Sequence, residues 1–188
     1  RDFVELPSQV MENWAVEPKV MKSYARHYKT GEPIPDELVD KIRKARHFNQ
    51  GFATTEYLAA SFLDLAWHTL KSATGSTDVV AFEKKTLEDL GLTPQIAPRY
   101  RSGYFSHIFA GGYSSGYYSY IWAAVLDSDA YAAFKEKNNL FDPATAKAFR
   151  KLLSSGNTVD PMKLYIQFRG AEPKIDPLLE KRGLATGR

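Results

Sequence analysis

The chain has 188 residues, 44% of them hydrophobic and 25% charged, with a formal net charge of +3 and no cysteine. That balance suits a single globular unit with a sizeable core; it excludes disulfide and thiolate chemistry. No run of about 18 apolar residues is present, so no transmembrane helix is expected. The positive charge is spread too thinly for the clustered basic stripe of a nucleic-acid binder.

The first predicted helix covers Phe3 to Trp14, with Pro7 tolerable only in its first turn. A short helix from about Lys19 to Tyr28 follows, then a turn at Gly31-Glu32-Pro33-Ile34-Pro35. The next helix starts near Asp36, with Leu38, Val39 and Ile42 on its apolar side and Asp40 and Lys44 as an i,i+4 pair on its solvated side. Thr54 to Leu70 is the most apolar helix. Its inward row is read as Leu58, Phe62, Leu65, Ala66 and Thr69. Ser72 to Thr77 reads as a polar loop. Asp78 to Leu90 is amphipathic, with Val79, Phe82, Leu87 and Leu90 inward, and Gly91 to Ser106 is irregular. A long helix from Tyr117 to Lys137 comes next, and then three shorter helices begin at Asp142-Pro143, Asp160-Pro161 and Asp176-Pro177. In each pair the Asp is a good N-cap and the Pro suits the first helical position. Gly91, Gly156, Gly170 and Gly183 each close an apolar stretch, as C-terminal caps do. No strong alternating strand pattern, internal repeat or linker appears. The expectation is an all-α fold, a single helical unit over residues 1–188.

The chemistry concentrates between His107 and Tyr120. Six of the 11 tyrosines lie between Tyr100 and Tyr120. A core rarely holds so many phenols, because each buried hydroxyl needs a partner. Tyr113, Tyr117 and Tyr120 are spaced i, i+4, i+7 and share one face if a helix begins by Tyr113. Gly111-Gly112 just before them lets the backbone bend or approach a ligand closely. His107 precedes the glycines. Phenol and imidazole donors suit an oxyanion at a tetrahedral centre; the alternative is that the tyrosines pack between helices with their tips in solvent.

Other polar residues are less specific. Glu5 shares a helical face with Ser8, Gln9 and Glu12, and a lone acid there is ordinarily a surface charge. His27, His47, His68 and His107 form no i,i+4 pair and no His-Glu-x-x-His. His27 and His47 read as exposed, and His68, beside Trp67, as a satisfied structural histidine. Ser114-Ser115-Gly116 has no recognisable Asp/His partner for a nucleophile.

Three stretches carry a family resemblance. The run Arg1-Asp2-Phe3-Val4-Glu5-Leu6-Pro7-Ser8-Gln9-Val10-Met11-Glu12-Asn13-Trp14 resembles the segment just after the His-Glu-x-x-His helix of the thimet oligopeptidase family of zinc metallopeptidases, family M3. Phe105-Ser106-His107 through Tyr120 is similar to that family's Gly/Tyr-rich substrate loop. Phe168-Arg169-Gly170-Ala171-Glu172-Pro173-Lys174 with Arg182-Gly183-Leu184 is similar to the C-terminus of bacterial members. Within the family, the members that release C-terminal dipeptides are the nearest likeness and the internally cutting oligopeptidases the second.

The resemblance implies a helical peptidase acting on short peptides, with zinc as its cofactor. It assigns Glu5 as the third zinc ligand. It assigns His107, Tyr113 and Tyr120 to the substrate and transition state, Tyr117 to the cleft, and Gly111 and Gly112 to a loop that moves with substrate. It also implies that the two His ligands and the general-base Glu precede Arg1, so that the missing N-terminal part of the same protein is a required partner. These 188 residues alone are therefore expected to be inactive, as the C-terminal fragment of a catalytic domain. The implied compartment is cytoplasmic, or periplasmic if a signal peptide preceded the fragment. No nucleic-acid or membrane partner is expected. A helical peptide-binding module without catalysis, or a purely structural helical domain, remains the alternative.

Overall fold

The computed structural model describes residues 1–72 and 77–184, and all ten α-helices among them follow the all-α expectation. They are α1 (Leu6–Ala15), α2 (Pro18–Tyr24), α3 (Asp36–Ala45), α4 (Gln50–His68), α5 (Val79–Asp89), α6 (Ser106–Phe109), α7 (Ser119–Lys135), α8 (Pro143–Ser154), α9 (Pro161–Arg169) and α10 (Asp176–Lys181). A 3-10 turn at Ser102–Tyr104 precedes α6. The loop expected from Ser72 to Thr77 falls largely on 73–76, outside the described residues.

The chain divides into two compact units, one of Arg1 with residues 49–120, the other of residues 2–48 with 121 onward. In the second unit, the core joins Leu6 and Val10 of α1, Leu126, Ala130 and Phe134 of α7, Phe149 and Leu152 of α8, and Leu164 and Tyr165 of α9. Trp14 meets Phe134 edge-on at 4.9 Å between ring centres, in the orientation the ring quadrupoles favour. Two buried acids brace this unit. Asp127 accepts from Asn13 at 3.0 Å and pairs with Lys181 at 2.8 Å. Asp129 accepts from the Tyr165 hydroxyl at 2.8 Å and from Arg169 at 3.2 Å.

Asp side chains cap the starts of α5, α8 and α9. Asp142 accepts from the Thr145 N–H and Asp160 from the Lys163 N–H, each just before its proline, as expected. The third Asp-Pro differs: Asp176 lies inside α10 and Ile175 occupies the cap position without a side-chain bond. There the acid complements the helix dipole instead. Gly170 closes α9 with a φ of 81°, which a Cβ would strain.

Four expectations are corrected. In α5 the buried residues are Glu83 and Leu87, while Val79 and Leu90, expected inward, are 42% and 46% exposed. The second helix ends at Tyr24, because the chain turns back through an isolated bridge between Arg26 and Pro33, with His27 donating to the Glu32 carbonyl at 2.8 Å. In α3 only Val39 is buried; Leu38 and Ile42 are 46% and 40% exposed. In α4 the inward row is Ala60, Leu63 and Asp64, while Phe62 and Leu65 face outward. A helix apolar on several sides admits more than one inward face, and polar partners decide between them.

A groove of about 830 Å³ opens in the second unit, lined by Met11, Trp14, Phe134, Leu140, Phe149 and Leu153 among others. It contains none of the predicted site residues.

Candidate active site

The first unit gathers an aromatic cluster around His107. Its buried core is Ala60 of α4 with Phe105, Ile108 and Tyr117, and Tyr57, Trp67, Tyr100, Tyr113 and Tyr120 pack against it. The His107 ring lies 5.0 Å from Tyr100, 5.8 Å from Tyr117, 6.0 Å from Tyr113 and 6.5 Å from Tyr120, centre to centre. Tyr113 and Tyr120 stack at 5.3 Å and 14° between planes. Arg1 covers the Tyr113 ring, its guanidinium 4.4 Å from the ring centre, a cation–π contact.

The tyrosines do not converge by helical periodicity. Helix α7 begins only at Ser119, so residues 114–118 form consecutive turns, Tyr113 lies just before them, and Tyr120 alone of the three is helical. Two features hold the turn open. Ser115 takes a φ of 53°, in the left-handed region. The Asp64 carboxylate accepts the Ser115 and Tyr117 N–H groups, each at 2.9 Å, which takes them out of any helical ladder.

The two glycines have separate reasons. A Cβ on Gly111 would lie 2.9 Å from the His107 Cα and 3.0 Å from its carbonyl oxygen, both rigid backbone atoms. Gly112 has a φ of 79°. The close approach lets the Tyr113 N–H reach the His107 carbonyl at 2.9 Å. Gly111→Ala is therefore expected to cost about 1–3 kcal/mol through overpacking. Gly103→Ala, where a Cβ meets nothing within 4 Å, should cost no more than a few tenths. Urea unfolding of the two variants checks the contrast, and equal effects would remove the steric reason for Gly111.

Exposure separates the predicted residues. His107, Tyr113 and Tyr120 are half-buried, with surface still open to solvent. Tyr117 is 3% exposed, and burial pushes its phenol well above the usual tyrosine range. The Nδ1 of His107 is buried and has no hydrogen-bond partner among the described residues. An unsatisfied buried nitrogen costs stability.

The irregular stretch before the cluster is anchored by a buried acid that its sequence pattern does not announce. Glu83 of α5, on the face read as amphipathic, accepts the Ser102 N–H at 2.7 Å and hydroxyl at 2.9 Å, and pairs with Arg101 at 2.7 Å. Burial raises its pKa, but the bonds from Arg101 and Ser102 outweigh burial and hold it below the ordinary value. Ser102 in turn accepts from the Trp67 indole at 2.9 Å. Arg101 is thus committed to Glu83. Arg99 is exposed beside the Tyr100 ring, at 6.0 Å.

Glu5 stands in the second unit, half-buried at the N-cap of α1, where its carboxylate accepts from the Ser8 hydroxyl at 3.0 Å. Among the described residues no group of three or more His, Cys, Asp or Glu side chains could hold a metal ion. A structural or catalytic zinc needs at least three protein ligands, so these residues by themselves do not fit one. His68 is a structural histidine as expected, its Nδ1 2.8 Å from the Asp64 carboxylate.

The missed residues are Asp64 and Glu83. Each sits in a helix that reads as apolar or amphipathic, and an acid on the inward side is the one available signal. Besides His68 at i+4, the partners of Asp64 lie 51 and 53 residues away, and those of Glu83 lie 18 and 19 away, beyond helical spacing.

The fold and cluster define an all-helical segment with a histidine and tyrosines presented by a tight glycine turn. The pattern of peptidase family M3 matches residues 1–184, and the chain belongs to that family. It is 47% identical over 98% of its length to the dipeptidyl carboxypeptidase of Escherichia coli, covering 27% of that protein. The Salmonella typhimurium dipeptidyl carboxypeptidase is 46% identical over the same shares. The Escherichia coli oligopeptidase A is 40% identical over 97% of the chain and 27% of its own length. The chain thus spans about a quarter of the length of these relatives. No helix among the described residues is long and apolar enough to cross a membrane.

Proposed function

We propose that this chain is the substrate-contacting C-terminal portion of a zinc peptidase that acts on short peptides and releases C-terminal dipeptides. The observation that carries the reading is the convergence of His107, Tyr113 and Tyr120, all half-buried, around one turn that Asp64 of α4 holds. In this reading His107 and Tyr120 donate to the oxygen of the scissile carbonyl as it gains charge. Donors fixed in advance and sheltered from water stabilise that charge more than bulk water does. Tyr113 holds Tyr120 by stacking and lines the substrate side. Tyr117, being buried, forms the floor of the cluster, and Gly111 and Gly112 give the turn its close approach to His107.

Both units belong, in this proposal, to one catalytic domain, and Glu5 is one zinc ligand. The other ligands come from sequence outside these 188 residues, so the chain alone is inactive and the rest of the protein is its obligate partner. Zinc, when bound, would polarise the carbonyl and activate water. The cytoplasm is the proposed compartment, as the family resemblance implies.

Product analysis tests the reading. The whole protein is given one short peptide with a free C-terminus and the same peptide amidated. Mass spectrometry should show a C-terminal dipeptide from the first and at least about tenfold slower cleavage of the second. Equal internal cleavage of both would favour oligopeptidase specificity. Binding of both without cleavage would leave a helical peptide-binding module.

A further inference from the structure

Asp64 is fully buried in α4, yet three hydrogen-bond donors meet its carboxylate. One oxygen, Oδ1, lies 2.9 Å from the Ser115 nitrogen and 2.8 Å from His68 Nδ1. The other, Oδ2, lies 2.9 Å from the Tyr117 nitrogen. His68 Nδ1 also lies 2.9 Å from the Asp64 carbonyl oxygen, so it faces two acceptors and is assigned the proton. One helix turn pair earlier, the Tyr57 hydroxyl donates to the Tyr117 carbonyl at 2.6 Å. Both backbone polar groups of Tyr117 are therefore held by α4 side chains seven residues apart, on one helical face. Ser115 between them sits at a φ of 53°, which a serine adopts only where its surroundings impose it.

We infer that Asp64 is the positioning residue of the tyrosine turn, with His68 orienting its carboxylate and Tyr57 completing the grip. The inference rests on the peptidase reading of that turn. Asp64 touches no reacting atom. It fixes where the turn crosses α4, and so where the Tyr113 and Tyr120 rings stand beside His107. A buried carboxylate costs free energy that only good donors offset, and here two of the three donors are the turn's own backbone. The near-isosteric Asp64→Asn cannot reproduce this. With the amide nitrogen on one side it faces the Tyr117 N–H; turned over, it faces the Ser115 N–H and His68. Donor meets donor either way.

The test uses the whole protein as wild type, Asp64→Asn and His68→Gln. Hydrogen exchange is followed by mass spectrometry on segments covering residues 110–118 and α5. In Asp64→Asn the turn should exchange at least about tenfold faster while α5 is unchanged. Peptide hydrolysis should show kcat down at least about tenfold with KM within about threefold. His68→Gln should move both readouts in the same direction by a smaller factor, and it decides the matter if Asp64→Asn does not fold. Wild-type exchange of the turn in these variants would overturn the inference, as would equal acceleration in α5, which would make Asp64 an ordinary core residue. A wild-type protein that cleaves no peptide would sink the peptidase reading alone, because exchange would still decide the role of Asp64.

Discussion

Replacing Tyr120 by Phe in the whole protein is expected to lower kcat by about 10²–10³ and leave KM nearly unchanged. The change deletes one hydroxyl and keeps the ring. The ring is what packs: it stacks on Tyr113 at 5.3 Å and meets Tyr117 edge-on at the same distance. Geometry should survive, and only the donor is lost. A donor that acts on charge developing at the carbonyl oxygen is felt in the transition state and not in the bound ground state. Steady-state kinetics on a short peptide reads the difference. A rise in KM with kcat intact would make Tyr120 a binding residue and nothing more. Tyr117→Phe is the internal control. Its phenol is buried, so its loss should act on stability before it acts on kcat.

The second large effect is structural. Asp129→Ala is expected to destabilise the unit that contains α7 and α9 by about 3 kcal/mol, as breaking a buried ion pair does. Asp129 is 1% exposed and receives both the Tyr165 hydroxyl and the Arg169 guanidinium. Removing it takes one of two acceptors from the buried Tyr165 phenol, which keeps the Leu126 carbonyl at 3.0 Å; that phenol's pKa is raised, first by burial and then by the bond to Asp129. Arg169 keeps Glu136, to which it donates at 2.6 and 2.9 Å, and this limits the loss. Glu136→Ala, at the exposed end of the same network, should cost about 1 kcal/mol or less. Urea unfolding of the two variants distinguishes them; equal costs would show that burial of Asp129 is not what matters.

The helices were legible in the sequence because their signals are local. Asp142 and Asp160 cap their own helices three residues on, and Pro7, Pro143 and Pro161 sit in first turns. The His107 to Tyr120 cluster was legible as composition, and its likeness to a family loop named the residues. What the sequence did not disclose is how the tyrosines meet. Periodicity placed Tyr113, Tyr117 and Tyr120 on one helical face. The structure brings them together through a turn that a buried acid 51 to 53 residues away holds out of the helix. The same limit hid the inward face of α4: Phe62 and Leu65 are as apolar as Leu63, but only the Asp64 side has partners to satisfy. Long-range polar contacts leave no trace in local spacing.

The proposed function is zinc-dependent cleavage, with Glu5 as one ligand and His107 and Tyr120 as the carbonyl donors. Its most direct test is peptide hydrolysis by the whole protein before and after metal removal with a chelator, followed by zinc addition. Cleavage should fall by at least about 10² on chelation and return with zinc, because a catalytic zinc supplies the activated water. Undiminished cleavage by the metal-free protein would contradict zinc-dependent cleavage.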